Sequence, residues 1–400
     1  ITPTRRIICV IISVSICASL HLYLLTDIAT FLSNMTNIAS KARQHRRTIP
    51  KLPNMKYILF WRDGITQVNG LGKCKCPVSN CIFTEHRGLL NGDHTLFDAI
   101  VFDVLDLNRQ AKENPTRRAS SQLYIFNSEE SSSNFPACEL YLDDFFNWTF
   151  TYRLDSDVVW NNFVVRNMNG SVVAPSETVQ WNITKNPITD EVKSILKGKT
   201  RAAAWIVSNC AAVSLRHEYL TKLQEYLFQY SLQIDVYGRC TKRKCDKNDC
   251  KEMIKKKYYF YMAFENSFAD DYVTEKVLHG YHNYAVPIVY GGANYSRFLP
   301  PGSYLNAREI HPYNLAHAIS LAINDAKEYE AYFQWRHSYT IDSNATVFHP
   351  LCELCKALNS NKSKSAPTKK NFRLWWNTLN GMKWYFYRLC ANLSQAFKSL

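Results

Sequence analysis

The fold of this chain is constrained most by a series of short apolar runs that alternate with polar segments. In the second half of the chain these runs are RAAAWIV, LQIDVYG, KYYFYMAF and VPIVYG. Between the first two, SLRHEYLTKLQEYLFQY carries apolar residues at helical spacing. This alternation predicts an α/β domain with a mainly parallel sheet.

A similar series comes earlier and contains KYILFW, TLFDAIVFDVL and SSQLYIFNSEE. The chain has 400 residues, which is enough for two domains of ordinary size. NITKNPITDEVKSILKGKT, after Trp181, is typical of a linker with a short helix. We therefore predict two α/β domains, residues 56–190 and 191–351, that face a cleft, and a C-terminal segment, 352–400. Such clefts hold ligands at the carboxyl ends of strands.

The N-terminal part carries the uncharged run IICVIISVSICASLHLYLL directly after Arg5 and Arg6. A membrane-spanning helix needs about 20 apolar residues, whereas the core of a signal peptide has about 7–15. We expect a retained anchor at 7–26, a cytoplasmic tail at 1–6 and a stem at 27–55; a cleaved signal or a buried helix are the alternatives. The positive-inside rule then places the rest of the chain in a lumen or outside the cell.

Cysteines and glycosylation sequons agree with this placement. Eleven of the 13 cysteines lie outside the apolar run, a usage that suits an oxidising compartment. The chain also has eight N-x-S/T sequons, which predict a glycosylated surface. They lie at Asn34, Asn147, Asn169, Asn182, Asn294, Asn344, Asn361 and Asn392.

The net charge of +14 would ordinarily suggest a nucleic-acid partner. A lumenal location argues against nucleic acid and favours anionic small substrates or membrane headgroups. The positive charge is concentrated in residues 239–257, RCTKRKCDKNDCKEMIKKK. The alternative for this segment is a solvated loop held by Cys240, Cys245 and Cys250.

The segment FENSFADDYVTEK, residues 264–276, combines a strand end, a turn and a helix start with several charges. Thr274 is predicted to cap a helix that begins at Glu275, since a threonine hydroxyl can accept from a free amide. A helix N-terminus suits phosphate, and Lys276 adds a full charge. Glu275 is placed to accept from two adjacent hydroxyls of a ribose. These residues predict a nucleotide diphosphate site; a capped helix with a surface Glu/Lys pair is the alternative.

FENS, DYVTEK and VPIVYGG together resemble the signature of the α-1,3-fucosyltransferase family. AAWIVSNCAAVSLR, IDVYGRC, YRLDSDVVW and LCELCKAL resemble further segments of that family, and the resemblance covers about residues 56–358. It implies a GT-B fold of two Rossmann-like domains, GDP-fucose as donor and inversion at the anomeric carbon. It also implies a Golgi membrane protein of type II topology that acts on a glycan acceptor containing GlcNAc.

The resemblance assigns roles to individual residues. Glu275 would bind the ribose, Lys276 and Arg239 the diphosphate, and Tyr272 would assist. Arg216 is a further cation for the donor or else a charge on a helix surface. The full predicted donor-binding set is Arg216, Arg239, Asn266, Tyr272, Thr274, Glu275 and Lys276.

An inverting transfer needs a carboxylate that takes the proton of the attacking hydroxyl. The family carries this base in a Glu-Ser-Pro motif after a strand of the N-terminal domain. The corresponding stretch here is YIFNSEESSSN, in which Glu130 precedes Ser131 and the proline is replaced by Ser132. We predict Glu130 as the base, with Glu129 as the alternative.

Asp155 and Asp157 form an Asp-x-Asp sequence that in other transferases binds a metal. Lys276, Arg239 and the helix end can balance the diphosphate charge, so no obligatory metal is predicted. The two carboxylates are expected to support the cleft or to contact acceptor hydroxyls.

Cys74, Cys76, Cys81, Cys352 and Cys355 could bind zinc, but their spacing and the compartment favour disulfides. The resemblance implies that Cys352 and Cys355 pair with two of the other three. The aromatic tail RLWWNTLNGMKWYFYRLC is expected to pack on the body of the protein or, alternatively, to contact the membrane.

The sequence therefore predicts a fucosyltransferase that uses GDP-fucose. Two alternatives stay open: a transferase of the same fold with another nucleotide sugar, and a membrane-anchored relative that binds glycan or GDP without catalysis. The resemblance implies transfer to the 3-hydroxyl of GlcNAc, but the sequence does not distinguish a LacNAc acceptor from the core GlcNAc of an N-glycan. A preference for the 1,3 over the 1,4 linkage and the oligomeric state are not predicted.

Overall fold

The computed structural model describes residues 48–61, 76–107, 114–184, 186–245, 247–343, 349–360 and 366–377. The predicted anchor and most of the predicted stem lie outside these residues, as do Cys74 and four of the sequons, Asn34, Asn344, Asn361 and Asn392. Among the residues that the structure does describe, no helix is long and apolar enough to cross a membrane.

The N-terminal half is built on a six-stranded sheet in which all neighbouring strands are parallel. The strand order is β2-β1-β3-β4-β5-β6. The strands are β1 Lys56–Phe60, β2 Cys81–Thr84, β3 Ala99–Asp103, β4 Leu123–Ser128, β5 Trp148–Thr151 and β6 Val158–Val159. Two separate clusters of buried apolar side chains cover its faces, which explains why the central strands are continuously apolar.

The second half is built on a five-stranded parallel sheet with the order β10-β9-β11-β12-β13. Its strands are β9 Arg201–Ile206, β10 Ile234–Tyr237, β11 Tyr258–Phe264, β12 Val286–Tyr290 and β13 Leu305–Asn306. The central strand β11 is buried along nearly its whole length. The prediction of parallel α/β architecture in both halves is therefore confirmed.

A small antiparallel sheet that the sequence did not predict joins distant parts of the chain. It consists of β7 Phe163–Asn167, β8 Val172–Ala174 and β14 Tyr339–Ser343 in the order β14-β7-β8. Its buried residues pack with β11 and the helix that follows it, although β7 and β8 precede the predicted domain boundary at residue 190. The division at 190 stays a prediction.

Helices cover the sheets and form the C-terminal segment. In the described residues they are α1 Val104–Leu107, α2 Asp190–Leu196, α3 Arg216–Phe228, α4 Lys247–Lys257, α5 Lys276–Tyr281, α6 Pro312–Asn324, α7 Ala326–Ala331, α8 Pro350–Leu358 and α9 Phe372–Asn377. Helices α6 and α7 are separated at Asp325, which adopts an extended conformation and whose carboxylate caps α7. The helix predicted after Thr274 is α5, which has six residues.

Four disulfides join described cysteines. Cys76–Cys352 and Cys81–Cys355 attach α8 to the N-terminal sheet across more than 270 residues of sequence. The expectation that Cys352 and Cys355 pair with two of the three N-terminal cysteines is confirmed. In the basic segment Cys245 pairs with Cys250 and Cys240 pairs with Cys210.

The first part of the aromatic tail packs on the protein body, as predicted. Phe372 and Trp376 in α9 are fully buried in the core of the N-terminal sheet, where Phe126 contacts both rings edge-on. The Trp376 indole N–H donates to the carbonyl of Phe135, 2.9 Å away. The C-terminal segment therefore completes the N-terminal half rather than the half that precedes it in sequence.

Replacing Trp376 with alanine should lower the free energy of unfolding by about 3–5 kcal/mol, because it leaves a large cavity in this core. Chemical denaturation measures this loss. Leu140, which is 76% exposed, is the control: Leu140→Ala should change stability by less than about 0.5 kcal/mol. Equal effects of the two variants would contradict the assignment of α9 to the core.

Candidate active site

The predicted site residues lie at the carboxyl ends of the strands in both sheets. Glu129 and Glu130 follow β4, and the segment from Glu265 to Lys276 follows β11. In parallel sheets these strand ends are where ligands bind. The two loops face each other, and their contacts define the site described below.

Glu265 is the centre of the C-terminal half of the site. Its side chain is completely buried, and its carboxylate accepts from the backbone N–H and the hydroxyl of Thr274, both at 2.9 Å. The Lys276 ammonium lies 2.9 Å from the other carboxylate oxygen. A buried carboxylate is tolerated only when it is paired and hydrogen-bonded in this way. These bonds fold residues 265–276 into a closed loop.

The Lys276 ammonium is held at the mouth of this loop. It donates to the Thr274 hydroxyl at 2.7 Å and lies 3.8 Å from the Glu275 carboxylate. Burial lowers the pKa of Lys276, but the charges of Glu265 and Glu275 outweigh burial, so the pKa is raised above its usual value. Lysine has three N–H donors, and the one not directed at Glu265 or Thr274 can meet an anion. Lys276 is thus a fixed, permanently charged cation.

The role predicted for Thr274 as helix N-cap is wrong. Helix α5 begins at Lys276, and Glu275 is its N-cap residue, without a capping bond from its side chain. The Thr274 hydroxyl instead bonds Glu265 and accepts from Lys276. The positive charge at the start of α5 is therefore that of the Lys276 side chain.

Glu275 and Arg239 are both exposed at this edge of the sheet. Arg239 follows β10 directly after Gly238, which has a φ of +106° and packs so closely on the Val207 carbonyl that a Cβ would clash. The Cys210–Cys240 disulfide ties this turn to the loop after β9. Arg239 therefore lies on a turn that the Cys210–Cys240 disulfide fixes beside the carboxyl ends of the strands.

Arg216 is buried, so the alternative of a charge on a helix surface is wrong. At the start of α3, its guanidinium donates to the carbonyls of Phe264 and Asn209 at 2.7 and 3.0 Å. Burial lowers its pKa, and the Glu265 charge partly opposes this shift. Arg216 thus fixes the end of β11, which places Glu265. Its Nε has no hydrogen-bond partner among the described atoms.

Asn266 is half-buried beside this junction. Its carbonyl accepts from the Ser214 backbone N–H at 3.1 Å, and its side-chain oxygen accepts from the Ser267 hydroxyl at 3.0 Å. The structure therefore places Asn266 with the loop that precedes α3.

Glu130 meets the C-terminal half through Tyr272. The Tyr272 hydroxyl donates to the Glu130 carboxylate across 3.2 Å, and the Tyr272 ring is almost completely buried. Burial raises the pKa of Tyr272 well above its usual value, and the carboxylates of Glu265, Glu130 and Glu275 raise it further. Tyr272 therefore stays a neutral donor. Of the two candidate bases, Glu130 has this contact with the donor-side loop; Glu129 is half-buried beside it.

Further bonds join the two loops on either side of Glu130. The hydroxyls of Ser131 and Ser267 are hydrogen-bonded to each other in the buried interface, and Ser133 donates to the carbonyl of Phe268. Asp271 accepts from the backbone N–H of Leu154 at 3.1 Å. The segment 265–276 is therefore part of the candidate site and also one of the contacts between the two halves.

Ser132, which replaces the family's proline, contributes a bond that proline cannot make. Its backbone N–H donates to the Tyr152 hydroxyl, 3.2 Å away, whereas proline has no N–H. The Ser128 hydroxyl holds the other side of the turn through the N–H and carbonyl of Glu130. The loop that carries Glu130 is thus fixed by hydrogen bonds.

Asp155 and Asp157 are already paired with cationic and N–H groups. Arg153 contacts both oxygens of Asp155 at 2.9 and 2.8 Å, and its positive charge outweighs burial and lowers the pKa of that carboxyl. Asp157 accepts from Thr149 and lies 3.0 Å from the Lys369 ammonium. Both therefore support the N-terminal half. The part of the chain that the structure describes has no group of three or more His, Cys, Asp or Glu suited to a metal ion.

The sequence reasoning gave no role to Glu265 or to Ser267. Glu265 follows directly after an apolar strand, so its carboxylate needs a partner, and Thr274 and Lys276 come later in the same segment. That need is a signal that the sequence contains. Ser267 carries no such signal, because its partner Ser131 is 136 residues away.

Two family models match this chain, one in each half. The model described as "Fucosyltransferase, N-terminal" matches residues 53–163. The model described as "Glycosyltransferase family 10 (fucosyltransferase) C-term" matches residues 196–375. The second match contains the whole segment from Glu265 to Lys276, and the first contains Glu130.

Named relatives are similar to this chain over about 70–74% of its length. The Drosophila melanogaster protein "Alpha-(1,3)-fucosyltransferase C" is 37% identical over 71% of this chain and 66% of its own length. A human 4-galactosyl-N-acetylglucosaminide 3-alpha-L-fucosyltransferase is 34% identical over 70% of each chain. A Caenorhabditis elegans alpha-(1,3)-fucosyltransferase is 31% identical over 74% of this chain and 63% of its own length. The chain thus spans somewhat less than two thirds of the length of the first and third of these relatives.

A solved structure described as an alpha1,3-fucosyltransferase with GDP is also similar, with 14% identity and a TM-score of 0.47 over 79% of this chain and 94% of that chain. The two matched family models, together with the human relative, establish the family. The chain belongs to glycosyltransferase family 10, the fucosyltransferases.

Proposed function

We propose that this chain transfers L-fucose from GDP-fucose to the 3-hydroxyl of a GlcNAc residue in a glycoprotein or glycolipid glycan, with inversion at the anomeric carbon. The observation that carries the proposal is the Tyr272–Glu130 hydrogen bond. This bond brings a carboxylate of the N-terminal half against the loop that holds Lys276 and Glu275. A base on one half and cations on the other are what a one-step displacement requires.

In the proposed reaction Glu130 accepts the proton of the acceptor hydroxyl as its oxygen attacks the anomeric carbon of fucose. The bond from that carbon to the GDP oxygen breaks, and GDP leaves with an added negative charge. Lys276 and Arg239 stabilise this charge, and Glu275 binds the ribose hydroxyls. Because Lys276 is fixed by Glu265 and Thr274 before the donor binds, little reorganisation is needed in the transition state.

Asn266, Arg216 and Thr274 are proposed to act at the donor site mainly by placing other groups. Arg216 and Asn266 hold the end of β11, and Thr274 connects Glu265 to Lys276. Tyr272 is proposed to orient the Glu130 carboxylate through its hydroxyl. The donor itself would contact Lys276, Arg239 and Glu275.

We also propose that the chain is a Golgi membrane protein whose catalytic part lies in the lumen. The disulfides between described cysteines support an oxidising compartment. Residues 7–26 would provide the anchor.

Glu130→Gln should reduce turnover by about 10²–10⁴-fold, because the amide cannot take the acceptor proton. Glu129→Gln is the matched control and should retain most of the activity. Release of GDP from GDP-fucose with a mixed panel of LacNAc and N-glycan acceptors measures turnover, and calorimetry with GDP checks that the site stays intact.

The opposite result, an active Glu130→Gln and an inactive Glu129→Gln, would move the base to Glu129. Tight GDP binding without release on any acceptor would favour a non-catalytic relative. Release from another nucleotide sugar in preference to GDP-fucose would identify a different transferase.

Lys276→Ala should weaken GDP binding by roughly 10–100-fold, because a charge-assisted hydrogen bond contributes about 1.5–3 kcal/mol. The variant also leaves the buried Glu265 without its cation, so its thermal unfolding should be measured alongside. Lys222→Ala, at an exposed position of α3, is the control and should bind GDP normally. Unchanged GDP affinity in a folded Lys276→Ala protein would contradict the diphosphate role.

Activity should not depend on a divalent metal ion. The reason is that Asp155 and Asp157 are already bound to Arg153 and Lys369, while Lys276 and Arg239 are available to the diphosphate. Turnover measured after treatment with a chelator, with and without added Mn²⁺ or Mg²⁺, checks this. A loss of turnover that Mn²⁺ restores would show that the cations alone are insufficient.

A further inference from the structure

The structure separates the four sequons that it describes into two groups. Asn147 is 9% exposed, its side-chain oxygen accepts from the N–H of Tyr124, and its Nδ2 donates to the carbonyl of Ala366 at 2.8 Å. A sugar on this nitrogen would break the contact with the C-terminal segment. Asn169, Asn182 and Asn294 are exposed. The sequence alone does not make this distinction.

Asn294 differs from the other exposed sequons in its surroundings. It precedes the 3₁₀ turn Tyr295–Arg297, and its side-chain oxygen accepts from the backbone N–H and hydroxyl of Ser296 at 3.2 and 2.7 Å. This turn fixes the oxygen of the amide toward the protein. The Nδ2 atom, which would carry a sugar, takes no part in it.

Asn294 also lies on the rim of a polar pocket between the two halves. The pocket has a volume of about 310 Å³. It is lined by Arg153, Asp155 and Glu177 of the N-terminal half, and by Asn294, Gly292, Arg297 and the two carboxylates Asp270 and Asp271 of the second half. This volume is at the lower end of the range of small-ligand pockets.

The charged groups of this pocket have the chemistry that a sugar needs. The side chains of Asp155 and Arg297 are 41% and 27% exposed although each is in an ion pair, with Arg153 and with Asp271. Asp155 also accepts from the Trp375 indole N–H at 2.9 Å. A carboxylate has about four acceptor positions and a guanidinium five N–H donors, so both groups can still bond a ligand. Hydroxyls can donate to Asp155 and Glu177, and an acetamide carbonyl can accept from Arg297.

We propose that Asn294 carries an N-linked glycan whose first N-acetylglucosamine occupies this pocket and holds the two halves together. In the modification Nδ2 forms a bond to C1 of the sugar and loses a proton, and the bond from C1 to the lipid-linked diphosphate carrier breaks. The sugar then bonds groups of both halves beside the Asp271–Leu154 contact. The proposal rests on the lumenal location given under the proposed function.

The first experiment measures which sequons carry glycans. The full chain is expressed through the secretory pathway of cultured cells, and glycopeptides are quantified by mass spectrometry. Sugar is expected on Asn169, Asn182 and Asn294 and not on Asn147. An unmodified Asn294 in a chain whose Asn169 is modified would overturn the proposal.

The second experiment tests whether the first sugar is the part that matters. The native protein is treated either with an endoglycosidase that leaves one N-acetylglucosamine or with an amidase that hydrolyses the side-chain amide, which releases the whole glycan and leaves an aspartate. An Asn294→Asp variant measures the effect of that new carboxylate by itself. The midpoint of thermal unfolding should be kept after the first treatment and fall by about 2–4 °C after the second. Equal midpoints after both treatments, with removal verified by mass, would overturn the role of the sugar in the pocket.

Sequon variants separate the effect of losing the glycan on stability from the effect of changing a side chain. Asn294→Gln and Ser296→Ala both abolish the sequon and should lower the midpoint of thermal unfolding equally. Ser296→Thr keeps the sequon and should leave the midpoint unchanged. Asn169→Gln, at the tip of the β7–β8 turn, is the control for loss of a glycan elsewhere. A decrease of equal size in Asn169→Gln would assign the effect to glycosylation in general and overturn the proposal.

Fucose transfer is measured on the same preparations to keep this proposal distinct from the proposed function. If Asn294 carries a glycan and the thermal midpoints change as expected, the proposal that the first sugar occupies the pocket is supported, even if no fucose is transferred. An active enzyme whose Asn294 is unmodified would overturn the proposal that a glycan occupies this pocket. It would leave the proposed fucosyl transfer intact.

Discussion

The buried carboxylate of Glu265 is the constraint on which the site depends. A charge without solvent contact must be neutralised by nearby groups, and Thr274 and Lys276 do this from the far end of the same segment. Closing the loop in this way fixes a cation at the carboxyl end of the central strand. The segment is rich in ionisable groups because it has to satisfy one buried charge and still present Lys276 to a ligand.

The same loop carries the residues that reach the other half of the protein. Ser267, Asp271 and Tyr272 lie between the two ends that Glu265 holds together, and they contact Ser131, Leu154 and Glu130. The position of the candidate base relative to the candidate donor site is therefore set by one stretch of chain. A change in the Glu265–Lys276 pair would therefore alter the contact of Tyr272 with Glu130, although Glu265 and Glu130 belong to different halves.

The central strands could be predicted because their signal, a continuous apolar run, is local. Lys276 and Glu130 stay predictions that rest on local motifs. The small sheet could not be predicted, because β14 pairs with β7 from a distant part of the sequence and both strands are short. The role of Thr274 was mistaken for a related reason. A threonine before a helix can cap it or bond a buried carboxylate, and only the position of Glu265 in the fold decides between them. Asn147 has a correct sequon, but its burial depends on the C-terminal segment.

The C-terminal segment limits how the two halves can move. After leaving the second half, the chain returns to the N-terminal sheet through α8, which is crosslinked there by Cys352 and Cys355, and through α9, whose Trp376 is in the core. Since β14 also pairs with β7, a hinge between the halves would have to move these connections together. The contacts between the Glu130 loop and residues 267–272 therefore adjoin a crosslinked and packed C-terminal segment, because Trp376 lies in the same buried cluster as Tyr272.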